Sequence, residues 1–172
     1  ILNSGCLVTV PKEPGQKAAS LVAENVIKMY SRLLAGSESS AVWLINKDAQ
    51  PQLMQMSLAV GTGGIPVYMP ANAIAGQPYN TLFGRPVIAI EQAATLGTVG
   101  DIILADLSNG YVLADKGGIQ ADMSIHVQFI YDQSTFRFVY RVDGQPVLPA
   151  PIVPYKGTAN TQSTFVALAT RA

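Results

Sequence analysis

The sequence predicts an α+β fold. One amphipathic stretch near the start of the chain has helical periodicity, whereas short apolar runs separated by glycine and proline fill most of the remainder. The 172 residues contain no internal repeat, and a chain of this length can bury one sizeable core. We therefore expect one or two compact units that combine helices with a sheet.

The charge content of the chain is low. Charged residues make up 13% of the sequence, against about 25% in typical soluble domains. The 11 basic and 11 acidic residues cancel and form no basic run, which argues against nucleic acid or an anionic membrane as the main ligand. Because interfaces are depleted in charge at their centres, this composition favours burial against other copies of the chain.

The first elements are a strand and a helix. Residues 1–10 predict a short apolar strand. From Ala18 to Ala35 apolar residues recur with helical spacing and Gly36 follows as a C-cap, which predicts a helix of about five turns. Within it Glu24 precedes Lys28 by four residues, the orientation that favours an exposed ion pair of about 0.3 kcal/mol.

A second strand and helix follow. The run AVWLI at residues 41–45 predicts a buried strand. Residues 46–58 then predict a helix, with Asn46 or Asp48 as its cap and Pro51 tolerated in its first turn.

The second half of the chain is composed of loops and short strands. Residues 61–86 are rich in glycine and proline, which predicts a long loop, and loops of that length in compact domains are usually functional. Short strands are then predicted in the runs PVIAI, DIILADL, YVLADK, QADMSIHV, FRFVYRV and PVLPAPIVP. The tail of residues 157–172 is small and polar, so we expect it to be loosely held.

One of these predicted strands has two different faces. Between residues 135 and 142 the side chains alternate, with Phe136, Phe138 and Tyr140 on one face and Arg137, Val139 and Arg141 on the other. One face is therefore expected to pack, and the other to form ion pairs.

Three patterns suggest chemistry, and each has a simpler interpretation. Ser124, His126 and Asp122 could form the nucleophile set of a hydrolase, but residues two apart on a strand share a face without the geometry of nucleophile and base. The GTGG run at residues 61–64 lacks the remainder of a phosphate-binding motif and predicts a turn. The remaining carboxylates are too scattered for a metal site, so neither a metal nor a cofactor is expected.

The sequence also indicates the compartment of the protein and whether it is a piece of a longer product. Cys6 is the only cysteine, so an intrachain disulfide is excluded and a reducing compartment is expected. No apolar run approaches the roughly 20 residues of a membrane span. The start lacks the basic region of a signal peptide and is Ile1 rather than methionine, so we expect a piece of a longer product.

Four blocks of the sequence have a specific order. They are PGQKAASLVAENVIKMYSRL at residues 14–33, AVWLINKDAQPQL at 41–53, GTGGIPVYMP at 61–70, and the stretch from FGRPV to DGQPV at 83–147. The order of GRPV, GDIILADLS, DKGGI and DQSTFR within the last block is the most specific feature. Together these blocks resemble the tailed-bacteriophage major capsid protein family of the Hong Kong 97 type.

This resemblance implies a capsid fold with a long spine helix, a peripheral-domain sheet, and an axial domain of central sheet flanked by helices. The implied segments are a peripheral domain at 1–40 with the spine helix at 15–35, an axial domain at 41–109, peripheral return strands at 110–128, a further axial segment at 129–145, a peripheral segment at 146–156, and the tail at 157–172.

The resemblance also implies interface residues. A loop near the capsomer axis would contact neighbouring subunits through Ile65, Pro66, Tyr68, Pro70, Tyr79 and Asn80. Glu24 and Lys28 would lie on the spine-helix interface, and Gly117 and Gly118 would form a sharp turn between Tyr111–Lys116 and Ile119–Val127.

The implied function is that of a structural subunit, not of an enzyme. The chain would self-assemble into pentamers and hexamers of an icosahedral head that holds packaged DNA, with portal, scaffold and head protease as further partners. It would lie in the virion, and in the host cytoplasm before assembly. The family's N-terminal arm and extended loop have no counterpart here, so no cross-linking residue is implied. The alternatives are an encapsulin-like nanocompartment shell and a hydrolase using Ser124 and His126.

Overall fold

The computed structural model describes residues 1–60, 63–69, 80–156 and 160–171. They form two compact units. The first, here called the sheet unit, comprises Ile1–Gly110 and Pro146–Ala172, and the second, the ribbon unit, comprises Tyr111–Gln145. Both helices and strands are present, so the α+β prediction is confirmed.

The sheet unit is built on one seven-stranded mixed sheet. Across the sheet the strands are β1 (Val8–Val10), β13 (Phe165–Leu168), β8 (Ile102–Ala105), β2 (Val42–Ile45), β7 (Arg85–Ala89), β6 (Thr81–Leu82) and β5 (Tyr68–Met69). The pairs β1–β13 and β2–β7 are parallel, and the other pairs are antiparallel. A separate hairpin joins β3 (Ser57–Val60) to β4 (Gly63–Pro66).

The core of this unit is centred on Trp43. Its indole is fully buried, and its N–H donates to the Leu82 carbonyl at 3.1 Å, which satisfies the one polar atom of the ring. Val26 and Met29 of the helix α1 (Ala23–Ser31) are also completely buried. Burial of these large apolar side chains stabilises the packing of helix on sheet.

The first helix is much shorter than predicted. α1 has nine residues instead of about five turns. Before it, Ala19 takes a positive φ of 50°, and the Leu21 N–H donates to the Gln52 side chain at 2.7 Å instead of to the backbone. After it, Leu33 forms a parallel bridge with Ser163. Leu21 and Leu33 lie outside the helix, but their side chains also pack in the core. For this reason the apolar pattern of the sequence is longer than the helix.

The ion pair predicted within this helix is also wrong. Lys28 Nζ lies 2.7 Å from the carboxylate of Glu13, whereas Glu24 is exposed. Glu13 is held there because its backbone N–H donates to the Gln16 side chain at 2.9 Å. A turn before the helix therefore supplies the partner that the i,i+4 rule assigned to the helix itself.

The second helix has the predicted start but is shorter. The Asn46 side chain accepts the Asp48 N–H at 2.9 Å and caps a short 3-10 helix, Lys47–Ala49. The α-helix α2 (Gln50–Gln55) continues directly from it, with Pro51 in its first turn. The cap at Asn46 and the position of Pro51 are confirmed.

The tail is not loosely held. Phe165, Val166, Ala167 and Leu168 form β13 between β1 and β8, and none of the four has exposed surface, so both faces of this strand are covered as well as its two edges. Beyond the strand, Arg171 is buried and pairs with the buried carboxylate of Asp101. The expectation of a loose tail is therefore wrong.

The ribbon unit contains four strands that form two separate two-stranded sheets. They are β9 (Tyr111–Asp115), β10 (Gln120–Gln128), β11 (Gln133–Val139) and β12 (Val142–Pro146). β10 pairs with β11 in antiparallel register, and β9 pairs with β12. β11 and β12 follow one another along the chain, so β9 and β10 both pair with the segment Gln133–Pro146.

Gly117 and Gly118 therefore do not form a turn between two paired strands. They lie between β9 and β10 where the ribbon is interrupted, and Gly117 has a positive φ of 61° that favours glycine. The chain reverses instead at the far end of the ribbon, through the 3-10 turn Phe129–Tyr131 and Asp132, whose φ is 53°. The backbone does bend at residues 116–118, and the role of the two glycines as an inter-domain turn stays a prediction.

The compact units also differ from the implied domain segments. Residues 1–40 and 41–109 share one unit, and β10 pairs with β11 across the expected boundary at residue 128. Which unit is axial and which is peripheral stays a proposal.

A buried carboxylate supports the end of β8. The Asp106 side chain accepts the backbone N–H of Asn109 at 3.2 Å and its side-chain amide at 2.9 Å. Burial raises the pKa of Asp106, but hydrogen bonds from Asn109, Ser37 and Ser40 outweigh burial and hold that pKa below its ordinary value of 3.8.

We expect Asp106 to make the stability of the protein acid-sensitive. A lowered pKa in the folded state stabilises the fold above the unfolded-state pKa, and this contribution is lost as the pH falls through the folded-state pKa. In urea titrations Asp106→Asn should therefore unfold at lower urea than the wild type near neutral pH, with a smaller difference near pH 3. Asp122→Asn, at an exposed ion pair, is the control. An equal difference at both pH values would contradict the assignment.

Candidate functional site

The ribbon unit carries one apolar face without cover. In the β10–β11 register Ala121 lies opposite Phe138, and Met123 lies opposite Phe136, so these side chains share a face. The rings of Phe136 and Phe138 are 62% and 70% exposed, and Met123 and Ile125 are exposed as well. We call the surface formed by Ala121, Met123, Ile125, Phe136 and Phe138 the apolar face.

The opposite face of the same ribbon is polar. Asp122 lies opposite Arg137, and their side chains form an exposed ion pair at 2.7 Å. Ser124 lies opposite Thr135. The alternation predicted from the sequence is confirmed in this ion pair, whereas the face expected to pack is left open by the part of the chain that the structure describes.

The end of the ribbon is also apolar. Phe129, Ile130 and Tyr131 follow one another in the terminal turn, and Ile130 is 91% exposed. Three consecutive large apolar residues at such exposure have little contact with their own unit. The tip therefore extends the open apolar surface.

A ribbon of this kind requires a partner. An isolated two-stranded hairpin is at best marginally stable in water, and a third strand or packing against another element is needed for independent stability. Monomeric soluble proteins rarely expose large contiguous apolar patches, and such patches mark interaction sites. The open apolar face therefore makes the ribbon unit a candidate interaction surface.

Comparison with known proteins identifies the family of the chain. The sequence model of the phage capsid family matches residues 1–157. The chain belongs to the phage capsid family. Among curated protein sequences, none matches the chain significantly.

Two solved capsids share the fold of this family member. The capsid of an empty GTA particle, computed with C5 symmetry, has a TM-score of 0.60 at 16% identity over 99% of the chain. The capsid of a native GTA particle, also with C5 symmetry, has a TM-score of 0.61 at 17% identity over 95% of the chain. The matches cover 56% and 50% of those two chains, so the present chain spans about half the length of each.

The residues that the resemblance placed at the capsomer axis have different environments in this capsid-family chain. Ile65 is 57% exposed and Pro66 is exposed, which suits a contact surface. Tyr68 is only 3% exposed, and its hydroxyl accepts a hydrogen bond from the Gln50 side chain at 3.3 Å. Tyr68 therefore packs in the core of this chain, and its contact with a neighbouring subunit stays a prediction.

The other axis-loop residues add little. Asn80 is partly exposed, and its carbonyl accepts the Val87 N–H at 2.8 Å. Pro70 and Tyr79 lie outside the described residues. The loop's role at the capsomer axis stays a prediction.

The residues considered for hydrolysis are not brought together as a catalytic set. Ser124 Oγ accepts the backbone N–H of His126 at 3.3 Å, and the described contacts do not join this hydroxyl to the imidazole. Asp122 instead pairs with Arg137. The surface position of these residues on a capsid-family ribbon gives the hydrolase hypothesis no support.

The described residues contain neither a metal-binding cluster nor a helix that could span a membrane. Within the described ranges, no group of three or more His, Cys, Asp and Glu residues is close enough to hold a metal ion. The helices of those ranges are too short or too polar to cross a bilayer. The GTGG run extends into residues 61 and 62, which lie outside the described part.

Proposed function

We propose that this chain belongs to the structural subunit of a viral capsid, a major capsid protein that assembles into pentamers and hexamers of a closed head holding DNA. The observation that carries the proposal is an uncovered apolar ribbon face in a member of the phage capsid family. The likeness of its fold to capsids with C5 symmetry supports the same assignment.

The physical basis is the burial of apolar surface between copies. Each apolar side chain removed from water contributes about 1.5–3 kcal/mol, and many identical contacts add up over a closed shell. The formal net charge of zero leaves no strong repulsion between copies. The proposed main partner is therefore a second copy of the protein, and portal, scaffold and head protease are proposed as further partners.

The proposed location is the virion, with the host cytoplasm before assembly. The alternative of an encapsulin-like shell would use the same fold around a protein cargo. The family match to phage capsids favours the viral role. Genes for a portal, a terminase and a head protease beside this one would support the viral role, and their absence would favour the cellular shell.

Charge placed on the apolar face is expected to block assembly. We predict that the double variant Phe136→Glu and Phe138→Glu yields soluble subunits and no capsomers, because carboxylates on this face cannot be desolvated against a neighbour. The fold should persist, since both rings are exposed. The measurement is sedimentation velocity with electron microscopy, on the gene product that carries this sequence.

The control is Arg137→Gln, which alters the intervening residue on the opposite face. We expect that variant to form normal particles. Normal particles from the double variant as well would contradict the assembly role of the apolar face. Unfolding of the double variant, seen by circular dichroism, would show that the face is covered by the subunit's own chain.

A further inference from the structure

The interruption of the ribbon creates a small cavity. Between β9 and β10 the chain leaves the ladder, and the Lys116 N–H donates to the Arg141 carbonyl at 3.0 Å, which sets these two residues opposite each other. A cavity of about 80 Å³ lies beside this pair, lined by Lys116, Gly118, Gln120, Val139 and Arg141. This volume is large enough for a group the size of a carboxylate.

The charges that line this cavity are both positive. The ion pairs found in the described residues do not include Lys116 or Arg141, whereas the nearby Arg137 is paired with Asp122 at 2.7 Å. An anion in this cavity would be attracted by both positive charges. Their position favours the binding of an anion.

The backbone at the same place contributes donors. The backbone hydrogen bonds of the described chain include the N–H of Lys116 but not those of Gly117 and Gly118. Gly117 has a positive φ, and successive N–H groups in such a turn form concave sites that accept anions. Cationic side chains and free amides therefore occur together at this bend.

Two carboxylates lie beside a second cavity that shares the same two cationic residues. Asp115 and Asp143 line a neighbouring cavity of about 240 Å³ that shares Lys116 and Arg141. Neither carboxylate forms an ion pair with these cations in the described structure. The 80 Å³ cavity itself contains no acidic residue in its lining, so its own electrostatic preference is for an anion.

We propose that the cavity at the bend is a carboxylate-binding site, filled in the assembly by an Asp or Glu side chain of a second copy of this chain. The identity of the occupant rests on the proposed function, because only assembly brings a second copy to the ribbon. The planar guanidinium of Arg141 can hold both oxygens of a carboxylate, while Lys116 supplies a point charge.

A carboxylate from a second copy suits the chain better than a phosphate of DNA. The equal numbers of acidic and basic residues give no overall attraction for a polyanion. The sheet unit also presents exposed acidic residues, Glu24, Glu38 and Glu91, that have no ion-pair partner in the described structure. The cationic cavity of one copy could therefore bind a glutamate on the sheet unit of another copy, which is a contact between two different surfaces.

The site itself is tested on unassembled protein with acetate as the probe. We expect sodium acetate to shift the backbone amide resonances of Gly117 and Gly118 saturably, with sodium chloride at equal ionic strength as the reference. Lys116→Gln with Arg141→Gln should abolish the saturable shift, and Arg137→Gln should retain it. Equal responses to acetate and chloride would overturn the site.

The occupant is tested in assembly. We expect Lys116→Glu with Arg141→Glu to lower the yield of shells at least tenfold at low salt, and Arg137→Glu to leave it within twofold. Normal shells from the first variant would overturn the contact with a second copy. Saturation of the glycine amides by a short DNA duplex, together with normal shells, would assign the site to phosphate. If the unsubstituted protein formed no shells, both the proposed function and the assignment of the occupant to a second copy would be contradicted. The acetate experiment would still decide whether the cavity binds an anion.

Discussion

Replacing Arg171 by methionine is expected to lower the free energy of unfolding by about 3–5 kcal/mol. The side chains of Arg171 and Asp101 form an ion pair that has no exposed surface. Removal of the cation leaves the Asp101 carboxylate buried without its counter-charge, and that uncompensated charge is the origin of the loss. The pair itself is a weaker source of stability, because both charges had to be desolvated.

Several other hydrogen bonds converge on this ion pair. Arg171 Nε donates to the Ser20 carbonyl at 2.7 Å, and the backbone N–H of Arg171 donates to the Gly97 carbonyl at 2.8 Å. The Asp101 carboxylate in turn accepts the N–H groups of Gly97 at 2.9 Å and Ile102 at 2.8 Å. Arg171 therefore connects the segment at Ser20 with the loop from Gly97 to Asp101 through hydrogen bonds and the ion pair.

The single tryptophan provides the measurement. Trp43 is fully buried in the core of the same unit, so its fluorescence during urea titration reports the unfolding of that unit. The matched control is Lys28→Met, which breaks the solvent-accessible Lys28–Glu13 pair of the same unit and is expected to change the free energy by about 0–1 kcal/mol. Similar losses in the two variants would contradict the role assigned to burial.

Elements with local signals could be predicted from the sequence. The apolar runs AVWLI and DIILADL contain β2 and β8, and the Asn46 cap was readable from residue type and position. The alternation of Phe136, Arg137 and Phe138 predicted the two faces of β11, because side chains on a strand point to opposite sides in turn. These signals need only neighbouring residues.

Elements that depend on distant residues could not be predicted. Helical spacing continues through Leu21, but the Gln52 side chain, 31 residues away, takes the N–H that would have extended the helix. The tail looks small and polar, yet its register with β8, such as Phe165 opposite Ala105, places β13 inside the sheet. The run FVAL was the available signal, since strands buried on both faces are continuously apolar.

The site was predictable only in part. The Gly117–Gly118 pair is typical of a turn, but the pairing partner decides whether glycines make a hairpin or a bend, and β9 pairs with β12 rather than β10. Burial of Tyr68 depends on Gln50 and the core, which no motif reveals. Whether the apolar face is covered depends on other molecules.

Removal of the last eight residues, 165–172, is expected to abolish cooperative folding of the sheet unit. This truncation deletes β13, which pairs with β1 on one side and β8 on the other, and so disconnects the edge of the sheet. Burial of Phe165, Val166 and Leu168 contributes about 1.5–3 kcal/mol each, and the total approaches the whole stability of about 5–15 kcal/mol of a typical domain. Arg171 is lost as well.

The matched control deletes a longer segment and leaves the sheet intact. Replacing residues 111–145 with a short Gly-Ser linker should preserve the fold of the sheet unit, because the Gly110 carbonyl accepts the Val147 N–H at 2.9 Å and the two cut ends therefore meet. Trp43 fluorescence and circular dichroism during heating should show a cooperative transition for this variant and none for the truncated chain. A cooperative transition in the truncated chain would mean that β13 is dispensable, and loss of the transition in the linker variant would mean that the sheet unit depends on the ribbon.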